Sequence, residues 1–468
     1  MISAPLALLA CTQFVLLLDT SVVNVAAPSM GRDLGLSPAE LSWVANAYLV
    51  AFGGLLLLAG RAADLLGRRR VYVAGLALLS AASLLGACAA TAGALVAARA
   101  LQGVGAALAA AAALALLLTL FPDGPERHRA LGVFAATAGA GGAAGTVLGG
   151  VLTSWLGWES TFAMNVLAGL ALLAPAPRLL PEGRAHVAVR ATHAERPLDL
   201  PGAVTVTLGL TLLAYALVEA GENGWRAPAP LLAGAVAAAL LVLFARIERR
   251  AAHPLVPPGV LRRRTLRRAN LLAAAWQMAL FPMFFLVSLY LQRVLGHSPA
   301  AGGLGLLPLS LVVVAVAART DRLIRRFGTR AVTTAGFTLV ALGMAWLARL
   351  PPTGSYAADV LPPSLLLGVA LPLVSVATQA AAVHGAGEED AGLVSGLVNT
   401  SLQFGSVLGL AVLSGVAAAV TARSGAADPR AALTEGFAAA LLTGAVLAGL
   451  AALFSLRLRV GDPTKGNR

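Results

Sequence analysis

The sequence predicts an all-α polytopic membrane protein with fourteen spanning helices, and three observations carry that prediction. Of 468 residues, 58% are hydrophobic and only 12% charged, with a mean hydropathy of +0.83; an ordinary soluble domain is roughly one quarter charged. The apolar residues gather into runs close to the roughly 20 residues a helix needs to cross hydrocarbon. The basic residues lie between those runs and favour every second connector. Fifty glycines are poor material for a water-soluble core but ordinary where helices approach closely in lipid.

The first run, Pro5 to Ala27, has no basic flank before it and no small-residue cleavage site after it, so it reads as a span rather than a removable signal. Further runs at 41–60, 71–89, 94–118, 131–153 and 158–175 complete a six-helix half over residues 1–175. Residues 176–199 are rich in Pro, Arg and Glu and read as a linker. Two additional helices occupy 200–245, a second basic linker 246–269, and six more runs a second half over 270–456, starting at about 270, 301, 331, 360, 393 and 434. Residues 457–468 form a tail.

Charge fixes the expected orientation. With the N terminus in the cytoplasm, 27 of the 34 basic residues fall on the inside, six on the outside, and Arg99 within a span. Both termini are then cytoplasmic and the chain is an inner-membrane protein. The inside loop 384–392 is the acidic exception. The net charge of +13 is no nucleic-acid footprint, because its arginines alternate with spans instead of sharing one surface. The partners expected are the bilayer and a small molecule, with the chain working as a monomer.

Cofactor chemistry finds little support. Cys11 and Cys88 both fall in apolar runs and read as small apolar residues, not as metal ligands or a disulfide. The glycine cluster "GAGGAAG", Gly139 to Gly145, lacks the last glycine of a dinucleotide loop and lies within a span. No GxxxxGK[ST] stretch is present. The expectation is a transporter without cofactor or metal, not an enzyme, with the proton as coupling ion.

Between the second and third runs stands "GRAADLLGRRR", in which Gly60, Arg61, Asp64, Gly67, Arg68, Arg69 and Arg70 form a charged hinge. Gly60 and Gly67 are expected to let backbones approach. Asp64 is expected to pair with the arginines or a helix N terminus as a conformational latch; topology alone requires arginines there but no acid.

This hinge resembles the helix 2–3 loop signature of the major facilitator superfamily. "LDTSVVNVAAP", Leu18 to Pro28, is similar to the helix 1 signature of its fourteen-helix drug:proton antiporter branch. "RALQGVGAAL", Arg99 to Leu108, resembles the helix 4 signature with its embedded arginine, and Gly141, Gly145, Gly149 and Gly150 match glycines of the helix 5 antiporter signature. The resemblance covers the first 165 residues and implies a major facilitator fold: two six-helix bundles, with two extra central helices. Three departures stand out. Thr146 occupies the usual proline position of the helix 5 signature, Glu159 stands where the helix 6 entry commonly has Arg, and the second-half hinge "ARTDRLIRRFGTR" is degenerate.

Two charged residues fall inside spans. Asp19 lies about 4.5 Å beyond the midpoint of the first run, and Arg99 roughly 10 Å outside the midpoint of the fourth, at 1.5 Å per residue. A membrane-embedded acid is costly unless it faces protein or water, so Asp19 is the expected proton site. An arginine does not release its proton, so Arg99 is expected to turn inward and act on that acid. A local network of Asp19 with Thr20 or Asn24 is the plainer alternative. The row Gly141, Gly145 and Gly149 recurs every four residues and offers a bare backbone face for close packing or gating.

Gln13, Asn24, Tyr48, Asn165, Tyr215, Trp276, Gln277, Gln379, Asn399 and Gln403 are candidate lining for an apolar cavity suited to amphipathic compounds. Each serves equally well as a helix–helix hydrogen bond or packing residue. The resulting reading is proton-coupled export of small amphipathic or cationic compounds, as in multidrug or antibiotic efflux, by a high-GC bacterium judged from composition. The alternatives are a dedicated metabolite exporter or nutrient facilitator of the same fold, and, from another class, a non-transporting membrane receptor or scaffold.

Overall fold

The computed structural model describes residues 3–121, 125–181, 199–224, 226–251, 263–383 and 391–458, and all regular structure among them is helical. The helices are α1 (Ala4–Asp33), α2 (Pro38–Leu66), α3 (Arg68–Ala87), α4 (Ala92–Leu120), α5 (Pro125–Leu156), α6 (Glu159–Leu173) and a short α7 (Ala176–Leu179). They continue with α8 (Leu200–Asn223), α9 (Pro228–Arg250), α10 (Arg264–Leu289), α11 (Pro299–Phe327), α12 (Thr329–Leu347), α13 (Leu361–Val383), α14 (Ala391–Arg423) and α15 (Pro429–Ser455). Single π turns extend α10 over Tyr290–Val294 and precede α13 over Tyr356–Val360.

Local chemistry sets several boundaries. Ser37 and Glu40 form a reciprocal capping box at the start of α2, with Pro38 in the first turn. Thr91 caps α4 through the Ala94 N–H, and Asp428 caps α15 through the Arg430 N–H. Gly67 (φ 101) alone separates α2 from α3, and Gly328 (φ 80) alone separates α11 from α12. A residue with a Cβ rarely adopts such angles, so glycine makes these one-residue turns.

The charged hinge is therefore mostly helix. Gly60, Arg61 and Asp64 belong to α2, while Arg68, Arg69 and Arg70 open α3. Nothing lies within 4 Å of where a Gly60 Cβ would stand, so the backbone approach expected there is not made. The side chains of Arg61 and Asp64 lie outside the described residues, as do 182–198 of the first linker, 252–262 of the second, the loop 384–390 and the tail from 459.

Eleven helices among the described residues are long and apolar enough to cross a membrane, against the fourteen expected. The other long helices are α2, α5 and α8. The shorter apolar helical runs among the described residues are Glu40–Leu56 in α2 and Val204–Leu217 in α8.

The chain forms two compact units. One contains Met1–Thr211, Val236–Leu255 and Ser298–Gly303; the other contains Leu212–Ala235, Val256–His297 and Leu304–Arg468. Within the first, α1 packs on α5, α2 on α4, and α3 on α4 and α6. Within the second, α10 packs on α14, α12 on α13 and α15, and α14 on α15. Glycine makes the corresponding seams in both. A Cβ on Gly145 would stand 2.6 Å from the Leu18 carbonyl oxygen, and one on Gly149 would stand 2.9 Å from Val22 Cα. Gly141 meets the Phe14 carbonyl in the same way, and Gly405 and Gly409 of α14 meet the carbonyls of Ala274 and Met278 of α10. Where lipid replaces water as solvent, helices are held by such close van der Waals contact.

Candidate functional site

Five helices of the first unit converge on one buried ion pair. Asp19 stands near the middle of α1, which runs past the expected end at Ala27 and carries Pro28 within it. Arg99 comes from the second turn of α4. Each is 1% exposed, and Arg99 Nη1 lies 2.8 Å from Asp19 Oδ2. Two opposite charges so far from water need further partners for their remaining polar atoms.

Those partners are present. Arg99 Nη1 also donates to Gln102 Oε1 at 2.8 Å, and Nε donates to the Val44 carbonyl of α2 at 3.1 Å. The guanidinium lies 4.4 Å from the centre of the Tyr48 ring, a cation–π contact. Tyr48 in turn stacks on Phe52 at 5.8 Å. Gln102 Nε2 donates to Ser83 Oγ of α3 at 2.7 Å, and Ser83 donates to the Leu79 carbonyl at 2.6 Å. On the other side of the acid, Asn165 Nδ2 of α6 donates to Asp19 Oδ1.

The arrangement thus sets one carboxylate, Asp19, against one guanidinium, Arg99, inside the helix bundle of the first unit. The local alternative is not adopted. Thr20 Oγ1 donates to the Leu16 carbonyl at 3.2 Å, and Asn24 Oδ1, buried on the same helix, has no hydrogen-bond partner among the described residues.

Sequence reasoning placed Tyr48 and Asn165 with a substrate cavity; the structure puts both in contact with the ion pair. Gln102 and Ser83 escaped it altogether. Gln102 had a signal, since it follows Arg99 by three residues on a helix and so shares its face; Ser83 had none. Gln13 is half-buried. In the second unit Trp276 is buried, Gln277 and Gln403 are half-buried, and Tyr215, Gln379 and Asn399 are exposed.

The glycine row backs the acid's helix directly, because Gly141, Gly145 and Gly149 contact α1 at Phe14, Leu18 and Val22. Gly150 faces elsewhere: a Cβ there would stand 2.5 Å from the Pro299 carbonyl oxygen, and Ser154 accepts from the Ala300 N–H at 2.8 Å. Thr146, at the proline position of the signature, is buried and donates to the Ala143 carbonyl at 2.8 Å within an unbroken helix.

The arginines at the start of α3 reach helix ends. Arg68 Nη1 donates to the Ala115 carbonyl at 3.0 Å and to Thr119 Oγ1, and Arg69 Nη1 to the Leu180 carbonyl at 3.5 Å. Arg127 of α5 donates to Phe121 O at 3.0 Å and Leu118 O at 3.2 Å. Arg68 and Arg127 thus both occupy the C-terminal, negative end of α4.

Residues 9–410 match the family model described as Major Facilitator Superfamily. The chain belongs to that superfamily. It is 42% identical over 427 residues to the cephamycin export protein CmcT of Amycolatopsis lactamdurans, covering 89% of this chain and 85% of that one. It is 40% identical over 426 residues to the puromycin resistance protein pur8 of Streptomyces alboniger, covering 89% and 82%. The crystal structure of a D-xylose–proton symporter superposes with a TM-score of 0.66 over 97% of both chains at 15% identity, a likeness of fold alone.

This major facilitator is therefore a multi-pass bacterial membrane protein and a secondary-active transporter, not an enzyme, related to bacterial drug and antibiotic export proteins. Among the described residues no group of three or more His, Cys, Asp or Glu is placed to hold a metal ion.

Proposed function

We propose that this major facilitator exports small amphipathic or cationic compounds in exchange for protons, as a fourteen-span member of the drug:proton antiporter branch. The observation that carries the proposal is the buried Asp19–Arg99 pair, a titratable acid held in the middle of a spanning helix against a cation that cannot titrate. Its support from outside the chain is the export and resistance named in two relatives.

In this reading, two six-helix halves over 1–175 and 270–456 alternate access, with the additional helices between them and both termini in the cytoplasm. The chain works as a monomer. Asp64 acts as the latch beside Arg68, Arg69 and Arg70, and Gly141, Gly145, Gly149 and Gly150 form the gate seam. Gln13, Asn24, Tyr215, Trp276, Gln277, Gln379, Asn399 and Gln403 are candidates for the cavity wall. Binding of a cationic substrate favours loss of the Asp19 proton, and its release favours the proton's return, which gives an exchange rule.

The test is a growth-inhibition panel in an efflux-deficient host, followed by transport in proteoliposomes with an imposed pH difference. Raised tolerance to at least one lipophilic cation, abolished by Asp19→Asn, is expected. A second reading, a dedicated exporter of one compound, is favoured by the relatives' names, each of which specifies a single antibiotic. Unchanged tolerance across a broad panel despite verified insertion decides for that reading. Substrate binding without flux in vesicles decides for a receptor.

A further inference from the structure

Asn165 is 1% exposed and carries a donor and an acceptor on one planar amide. Its Nδ2 donates to Asp19 Oδ1, while its own Oδ1 is buried without a hydrogen-bond partner among the described residues. An orphaned buried carbonyl loses its hydration with nothing in return, so this oxygen calls for an explanation.

The charge state of Asp19 provides one. As a carboxylate, Asp19 needs donors only, and it has Arg99 on Oδ2 and Asn165 on Oδ1. Once protonated, one carboxyl oxygen becomes an O–H and needs an acceptor, which neither a guanidinium nor an Nδ2 amine supplies. The unpartnered Asn165 Oδ1 sits on the amide already in contact. Half a turn of that amide exchanges the positions of its nitrogen and oxygen.

We propose that Asn165 is a two-state positioning residue for Asp19, donating to the carboxylate and, after turning over, accepting from the protonated acid. This rests on the reading of Asp19 as the proton site. The proton forms the Asp19 O–H bond when it binds and leaves as that bond breaks; no other covalent bond changes. Arg99 remains charged throughout, held by Gln102, the Val44 carbonyl and the Tyr48 ring. Among the described residues, the charged and titratable groups around the acid are Arg99 from α4 and Tyr48 from α2, while α5 presents the bare backbone of Gly141, Gly145 and Gly149 to α1. Asn165 therefore makes both protonation states tolerable in a place that water does not reach.

The experiment is infrared difference spectroscopy of the full chain in liposomes, between acid and alkaline pH. The Asp19 carboxylic C=O band is identified as the one lost in Asp19→Asn. In Asn165→Leu that band should move to higher wavenumber, the mark of a lost hydrogen bond, and proton-driven exchange should slow by about tenfold, the worth of one such bond. Asn165→Ala is the second variant should leucine disturb the fold, with the same expectation. An Asp19-dependent band that stays in place in both variants overturns the role of Asn165 and leaves Asp19 as the proton site. If no band depends on Asp19, the proton-site reading itself fails and this inference fails with it.

Discussion

Gly145 of α5 lies against the Leu18 carbonyl of α1, one residue before Asp19, so the wall of the glycine seam is also the support of the buried acid. A Cβ at 145 would meet Leu18 O at 2.6 Å and Ser21 Cβ at 2.8 Å, and neither can yield without moving the α1 backbone. Gly145→Ala should therefore push the two helices apart at a cost of about 1–3 kcal/mol. The expected outcome is a lower thermal midpoint and reduced export. Gly142→Ala is the control, since its Cβ would meet only Ser21 Oγ at 3.7 Å, an ordinary contact, and both readouts should stay near those of the parent protein.

Arg99→Lys keeps the charge and loses the fork. A lysine ammonium is a single point that cannot reach Asp19, Gln102 and the Val44 carbonyl together while stacking on Tyr48. The variant should insert and fold, with proton-coupled export in purified vesicles reduced tenfold or more. Near-parental coupled flux would mean that a bare positive charge suffices at this position.

Arg68 and Arg70 separate two roles for the basic turn. Arg68 caps the end of α4 through Ala115 O and Thr119, whereas Arg70 is exposed. Arg68→Ala should lower stability by about 1–2 kcal/mol, in the range of a hydrogen bond from a charged group that also faces a helix C terminus. Arg70→Ala should leave stability unchanged, within about 0.5 kcal/mol. Equal losses in thermal unfolding of the two detergent-solubilised variants would place the stabilisation in net charge instead of the cap.

Much of this architecture was legible because the bilayer restricts what a chain can do. Spanning segments must be long, apolar and internally hydrogen-bonded, so helix positions follow from hydropathy and caps such as Ser37 and Asp428 sharpen their ends. The hinge was misjudged for a local reason. Arg61 and Asp64 interrupt the apolar run and look like loop, yet polar residues continue a helix once it has left hydrocarbon, and only Gly67 breaks it. At the site, Asp19 and Arg99 stood out as charges within apolar runs, and their depths could be compared by counting residues. Their neighbours could not be found in that way. Ser83 and Asn165 are unremarkable polar residues whose importance comes from which helix faces meet, α3 on α4 and α6 on α1, and that is a property of packing that a single sequence does not display.

Neutralising Asp19 separates the fold from the coupling. Asp19→Asn leaves Arg99 buried at 1% exposure opposite a neutral amide, and stranding one member of a buried pair costs about 3–5 kcal/mol. A loss of transport in this variant alone would thus mix instability with lost proton exchange. Asp19→Asn combined with Arg99→Gln removes both charges and keeps amide groups able to bond to Gln102 and Asn165. Because replacing a whole buried pair by neutral groups is often close to energetically neutral, the double variant should recover most of the thermal midpoint that the single one loses. It should still fail to accumulate a cationic substrate against a gradient in proteoliposomes with an imposed pH difference, since nothing at the centre of α1 can then bind a proton. Stability and flux measured on the parent, the single and the double variants give the answer together. Recovery of both in the double variant would show that the proton is carried elsewhere and that the Asp19–Arg99 pair serves the packing of α1 on α4.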